Sequence, residues 1–182
     1  MELSNTELEK LRYPIGKMPD LTSCTDEYTK QSILQLSEFP LALMKIISEI
    51  KKEGLIFSYR PGGWNIAQMV HHLADSHLNA YVRIKLALSE ENPTIKPYDE
   101  NKWAAMPDAT STEDTHVSVL LVSAIHHRLA VLLSSLSDAD FKRTVFHPEL
   151  QKTISIADFC NMYAWHGNHH LAQIKIALEK RY

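Results

Sequence analysis

Apolar residues return every three or four positions over four long stretches of this chain, and breakers separate the stretches. That period lines them along one face of an α-helix, and nothing else in the sequence constrains the fold as strongly. The first stretch runs from about Asp26 to Lys52, with Ile33, Leu36, Leu43, Ile47 and Ile50 on one stripe. Pro40 should kink or divide it, and Gly54 ends it. The second follows the turn Pro61-Gly62-Gly63. Asn65 is its N-cap, and Gln68, three residues on, completes a capping box. Ile66, Val70, Leu73, His77, Ala80, Ile84 and Leu88 form its stripe, up to about Glu91. The third starts near Ser111 and runs to about Leu136 through Val117, Leu120, Leu121, Ile125, Leu129 and Leu132. Ser155, with Asp158 three residues on, caps the fourth, which reaches about Lys180.

The connection NPTIKPYDENKWAAMPDATST reads as a loop, and loops of that length often carry function. Val145-Phe146 and Thr153-Ile154-Ser155 can pair as a short hairpin. Four helices of roughly 25 residues are each about 35–40 Å long. The expected fold is all-α: an antiparallel four-helix bundle with long connecting loops. It is read as a single domain over 1–182, with residues 1–24 as an extended N-terminal segment packed on it.

Composition excludes several classes of function. The formal net charge is −3, from 19 basic and 22 acidic residues, so no basic surface for nucleic acid is expected. No run approaches the roughly 18–20 apolar residues of a membrane span. The start, MELSNTELEKLRYPIG, is polar and is not a signal peptide. Cys24 and Cys160 form neither a disulfide framework nor a CxxC, which fits a cytoplasmic protein with free thiols.

Histidine is the abnormal component, ten of 182 residues, and it is clustered. On the fourth helix Phe159, Tyr163, His166, His170, Ile174 and Ala177 share a face. His166 and His170 therefore point inward one turn apart, the arrangement by which a helix offers two imidazoles to one metal. His169 lies round the helix and is expected to meet solvent or orient a neighbour. Buried imidazoles need partners, and a metal would satisfy both of the inward pair. The third ligand should come from another helix. Periodicity favours His77; His71 and His72 flank its stripe, and His126 and His127 are further candidates. A three-His site keeps open positions for water or a substrate. The alternative is a non-catalytic metal-binding or dimerisation module in a stress response. Structural zinc usually takes four protein ligands, often with cysteine, whereas Cys160 stands six residues before His166 on another face.

Three stretches carry a resemblance to a known family: YPIGK, then GGWNIAQMVHHLADSHLNAYVRIKLALSEENPTIKPYDENKW, then YAWHGNHHLAQI. From about Tyr13 to Ile176 the chain resembles the YfiT-type branch of the DinB-like superfamily. The resemblance implies a four-helix bundle with a divalent metal on three histidines. The matching pattern is a Trp, a His eight residues later, and an HxxxH on the last helix, here Trp64, His72, His166 and His170. It thus selects His72 where periodicity leaned to His77. It also implies a metal-dependent hydrolase that binds zinc or nickel and forms a homodimer. A second implied activity is transfer of a low-molecular-weight thiol such as bacillithiol. Asn79, Arg83 and Tyr98 lie in the matching stretches; with His77, Asn79 and Arg83 are candidates for a substrate pocket. Arg83 has a structural reading too, pinning the long loop by pairing with Asp99 or Glu100. Trp64 and Trp165 are read as packing residues, and Asp75 and Glu90 as surface charge.

Overall fold

A computed structural model describes residues 3–182. In chain order the elements are α1 (Asn5–Arg12), α2 (Asp26–Ser48), α3 (Ile66–Ser89), α4 (Glu100–Ala104), α5 (Pro107–Thr110), α6 (Thr115–Leu133), α7 (Asp138–Phe141), the hairpin strands β1 (Thr144–His147) and β2 (Lys152–Ser155), and α8 (Ile156–Lys180). The four long helices α2, α3, α6 and α8 make a four-helix bundle. Side-chain oxygens start three of them. Thr25 caps α2, and Asn65 with Gln68 and Ser155 with Asp158 form full capping boxes on α3 and α8. Pro40 lies inside α2, which continues through it without a break.

Helix direction follows from which residues meet. Asn161 of α8 bonds Thr29 of α2 and Asn168 bonds Gln35, so these two helices run parallel. His71 meets Ser118 and His77 meets His126, so α3 and α6 also run parallel. His126 meets Leu36, while Lys52 pairs with Glu113, so α2 and α6 run antiparallel. Ser58, ahead of α3, bonds the Tyr182 carbonyl beyond α8, so α3 and α8 are antiparallel as well. Parallel neighbours need long connections, and the segment between α3 and α6 is one. It is not a bare loop: α4 and α5 sit in it, and its Ile95 N–H bonds the Phe146 carbonyl of the hairpin. The hairpin pairs Val145 with Ile154, and both are buried in the core.

Where an antiparallel bundle was expected, two of its neighbouring pairs, α2 with α8 and α3 with α6, run parallel. Two further expectations change. Part of the N-terminal segment read as extended is helical in α1, started by a capping box between Ser4 and Glu7. On α6 the buried side chains are Thr115, Val119, Val122, Ile125, His126, Leu129 and Leu133, whereas Val117, Leu120 and Leu121 of the expected stripe are exposed. This helix is apolar on nearly every side, so periodicity could not set its rotation. By length and composition alone it would also qualify to cross a membrane, although one side of it packs on α2 and α3.

Gly167 sets the distance between α2 and α8. A Cβ at this position would stand 2.9 Å from two ring carbons of Phe39. Gly167→Ala is expected to destabilise the fold by about 1–3 kcal/mol through overpacking, outweighing a helix-propensity gain of roughly 0.5–1 kcal/mol. Urea denaturation reads the difference; an unchanged midpoint would show that Phe39 can swing aside.

Candidate metal centre

The structure brings three histidines together. His166 and His170 project from one face of α8, and His72 projects from α3 toward them. One ring nitrogen of each lies within 4.8 Å of a ring nitrogen of both others. His72 Nε2 and His166 Nε2 are 3.1 Å apart. Two imidazoles on a tetrahedral ion, with metal–nitrogen distances of about 2.0–2.1 Å, stand roughly 3.3 Å apart, so the spacing suits a shared ion. The chemistry of the donors suits one too. His72 and His170 are buried, and His170 Nδ1 has no hydrogen-bond partner. Trp64 walls the centre, its ring 4.7 Å from that of His72 and stacked at 18° to that of His170.

Burial keeps these rings neutral, with their lone pairs free. It holds His72 at a pKa of about 4, and it holds His166 and His170 well below the ordinary value. The neighbouring imidazoles push the last two further in the same direction.

Behind the three lies a second layer. His77, which periodicity placed on the inward stripe, is buried there, but its ring contacts His166 and His126 rather than the open centre. His71 bonds the Ser118 hydroxyl and the Ser111 carbonyl, fastening α3 to the start of α6. His169 does not meet solvent: it is 7 % exposed and stacks on Trp165 with ring centroids 4.5 Å apart.

A cavity of about 530 Å³ opens over the centre, lined by Arg12, Tyr13, Arg60, Trp64, Glu100, Trp165 and Gln173 among others. The two tryptophans read as packing residues therefore form part of its wall. The pocket candidates His77, Asn79 and Arg83 do not line it. The Asn79 amide turns back to the Asp75 carbonyl one helical turn away. Among the described residues Arg83 makes no ion pair with Asp99 or Glu100. It donates to the Lys96 carbonyl and lies over the Tyr98 ring, which still pins the loop. Asp99 is engaged elsewhere, as the N-cap of α4 and the partner of Lys102. Sequence reasoning passed over Arg12, Arg60 and Gln173 and considered Glu100 only as a partner for Arg83; the four come from separate elements or turns. Only Arg60, beside the Pro61-Gly62-Gly63 turn, carried a local signal.

The buried imidazoles set a pH dependence. Their folded pKa values are depressed, so as pH falls below 6.5 the unfolded chain takes up protons that the fold excludes, down to about 4 for His72 and His169. Each such ring removes up to about 1.4 kcal/mol of stability per pH unit in that window, less for the partly desolvated His169. The metal-free protein is therefore expected to weaken steadily on acidification from about pH 7 to pH 4, as read by thermal unfolding across pH. A flat profile would mean that these rings titrate normally.

Known proteins share this architecture. Residues 35–174 match the DinB superfamily. A Bacillus mycoides protein named "Putative metal-dependent hydrolase" is 42% identical over 173 residues, covering 95% of this chain and 98% of that protein. An Oceanobacillus iheyensis protein of the same name is 44% identical over 163 residues, covering 90% and 93%. The solved structure of YfiT from Bacillus subtilis, described as "a probable metal-dependent hydrolase with an unusual four-helix bundle topology", has a TM-score of 0.89 and 38% identity over 94% of this chain and 97% of that one. A mycothiol-dependent maleylpyruvate isomerase, at 17% identity and a TM-score of 0.64 over 86% of this chain and 63% of that one, shares the fold. With its fold and most of its length matched, this chain belongs to the DinB superfamily.

Proposed function

We propose that this chain is a metal-dependent enzyme acting on a small molecule. His72, His166 and His170 hold one divalent ion per chain, zinc first and nickel second, both of which imidazole suits. One observation carries the reading: three neutral imidazoles converge at the floor of a cavity. When bound, the ion would act as a Lewis acid that turns water or a thiol into a nucleophile near neutral pH. Trp64 and the ring stack of Trp165 on His169 restrict solvent at the centre. Arg12 and Arg60 supply positive charge on the cavity wall and would orient an anionic substrate. Among the described residues Glu100 is the one carboxylate lining the cavity, and partial desolvation raises its pKa. We assign it the role of taking up or returning a proton.

Hydrolysis is the first reading, in keeping with the names of the relatives. Transfer of a low-molecular-weight thiol is the second; the two arginines over the centre suit the carboxylates that such thiols carry. A purely structural metal is disfavoured, because that role usually takes four protein ligands, and Cys160 is buried in the core with its thiol pushed up to about 12. The proposal includes a cytoplasmic homodimer that contacts neither nucleic acid nor membrane. The exposed Val117, Leu120, Leu121 and Val131 of α6 support self-association.

Purified protein should carry about one divalent ion per chain, and His72→Ala, His166→Ala and His170→Ala should each lose it. Elemental analysis finding undiminished metal in these variants would sink the ligand assignment. Offering ester and amide substrates, or bacillithiol, glutathione and cysteine with a model electrophile, with and without chelator, separates the two readings. Glu100→Gln should lower turnover by about 10²–10⁴-fold, the usual weight of general acid–base catalysis, without releasing the metal. Turnover unaffected by both chelator and Glu100→Gln would remove this mechanism.

A further inference from the structure

Four hydrogen-bonding groups run in line from α2 to the candidate centre. The Leu36 carbonyl lies 2.6 Å from His126 Nδ1. His126 Nε2 lies 2.7 Å from His77 Nδ1, and His77 Nε2 lies 3.2 Å from His166 Nδ1. A carbonyl can only accept, so His126 must carry its proton on Nδ1. A neutral imidazole has one N–H, so His126 Nε2 is an acceptor and His77 must donate from Nδ1. The same step repeats. His77 Nε2 accepts, His166 donates from Nδ1, and the His166 Nε2 lone pair is left facing His72 Nε2. The opposite polarity would need the carbonyl to donate.

The start of this chain is built into α2. In a helix the Leu36 carbonyl would accept from the N–H of residue 40, but that residue is Pro40, which has none. The carbonyl is thereby released from its usual partner, inside the bundle and next to His126. The rings behind the centre are sealed from water. His77 and His126 are each 2 % exposed. Phe39 stacks on His77 at 11° and leans on His126, while Tyr163 meets His77 edge-on. Gly167 leaves the space that Phe39 fills. With solvent excluded, the direction of the chain is set at its carbonyl end.

We propose that His126 and His77 are positioning residues which, anchored by the carbonyl that Pro40 leaves free, fix the tautomer of His166 so that its Nε2 lone pair faces the ion. The role of the ion rests on the ligand assignment made above; the tautomer chain is a property of the protein without it. Ligating histidines usually pass their second N–H to a carbonyl or carboxylate directly; here two imidazoles carry that contact across the bundle.

Imidazole ¹⁵N spectra of the metal-stripped wild-type protein test the chain directly. His126, His77 and His166 should all be Nδ1–H tautomers, and His166 found as the Nε2–H tautomer would overturn the proposal. Zinc titration against a competing chelator tests its consequence. His126→Phe and His77→Phe should weaken zinc binding by about 10–100-fold, the usual effect of losing such a partner. His126→Gln, whose amide can donate to Leu36 and accept from His77, should recover most of the affinity. Wild-type zinc affinity in both folded phenylalanine variants would also overturn it. Should those variants not fold, the wild-type tautomers decide. Wild-type protein that binds no zinc but shows the three Nδ1–H tautomers would sink the ligand assignment and leave the chain standing.

Discussion

The Leu36 carbonyl has lone pairs and no hydrogen, and the polarity of the buried histidine network depends on that asymmetry. Four of the rings, His72, His77, His126 and His170, are almost without solvent, and unpartnered each would carry a desolvation cost. Hydrogen bonds from one ring to the next satisfy His77 and His126 completely, but they work only if every proton sits on the correct nitrogen. One fixed acceptor at the end of the row supplies that order. Pro40 is what leaves the acceptor available: a residue expected to damage α2 leaves the helix unbroken and releases one of its carbonyls into the core.

Topology then decides where the row ends. Because α2 runs parallel to α8 and antiparallel to α6, Leu36 and Phe39 meet His126 on one side and the middle of α8 on the other. The long connections that permit parallel neighbours also bring material to the mouth of the centre. The end of α1, the turn before α3, and α4 converge there and supply Arg12, Arg60 and Glu100. The histidines thus stand on rigid helices, while the groups that would meet a substrate stand largely on the connections between them.

Much of this was legible beforehand. The four helices, the caps at Asn65 and Ser155, the hairpin around Val145 and Ile154, and the inward pairing of His166 with His170 all follow from spacings of two, three or four residues. Such spacings are local, and a chain carries them whatever it packs against. The rotation of α6 was not legible, because a helix apolar on nearly all sides has no stripe to read. Nor was the cavity wall, whose members are scattered from Arg12 to Gln173 and share no period.

His72 and His77 mark the division most clearly. The sequence by itself determined that α3 would carry several histidines near its inward face, and the family resemblance singled out His72. Only the tertiary structure decided that His72 stands beside His166 and His170 while His77 backs them from behind. The reason is physical. Five residues separate the two, and five residues turn a helix through about 500°, or roughly 140° beyond one full turn. They therefore leave α3 in different directions. Which of them meets α8 at its open end depends on how α3 is rotated against its neighbours, and that rotation is set by packing across the whole bundle.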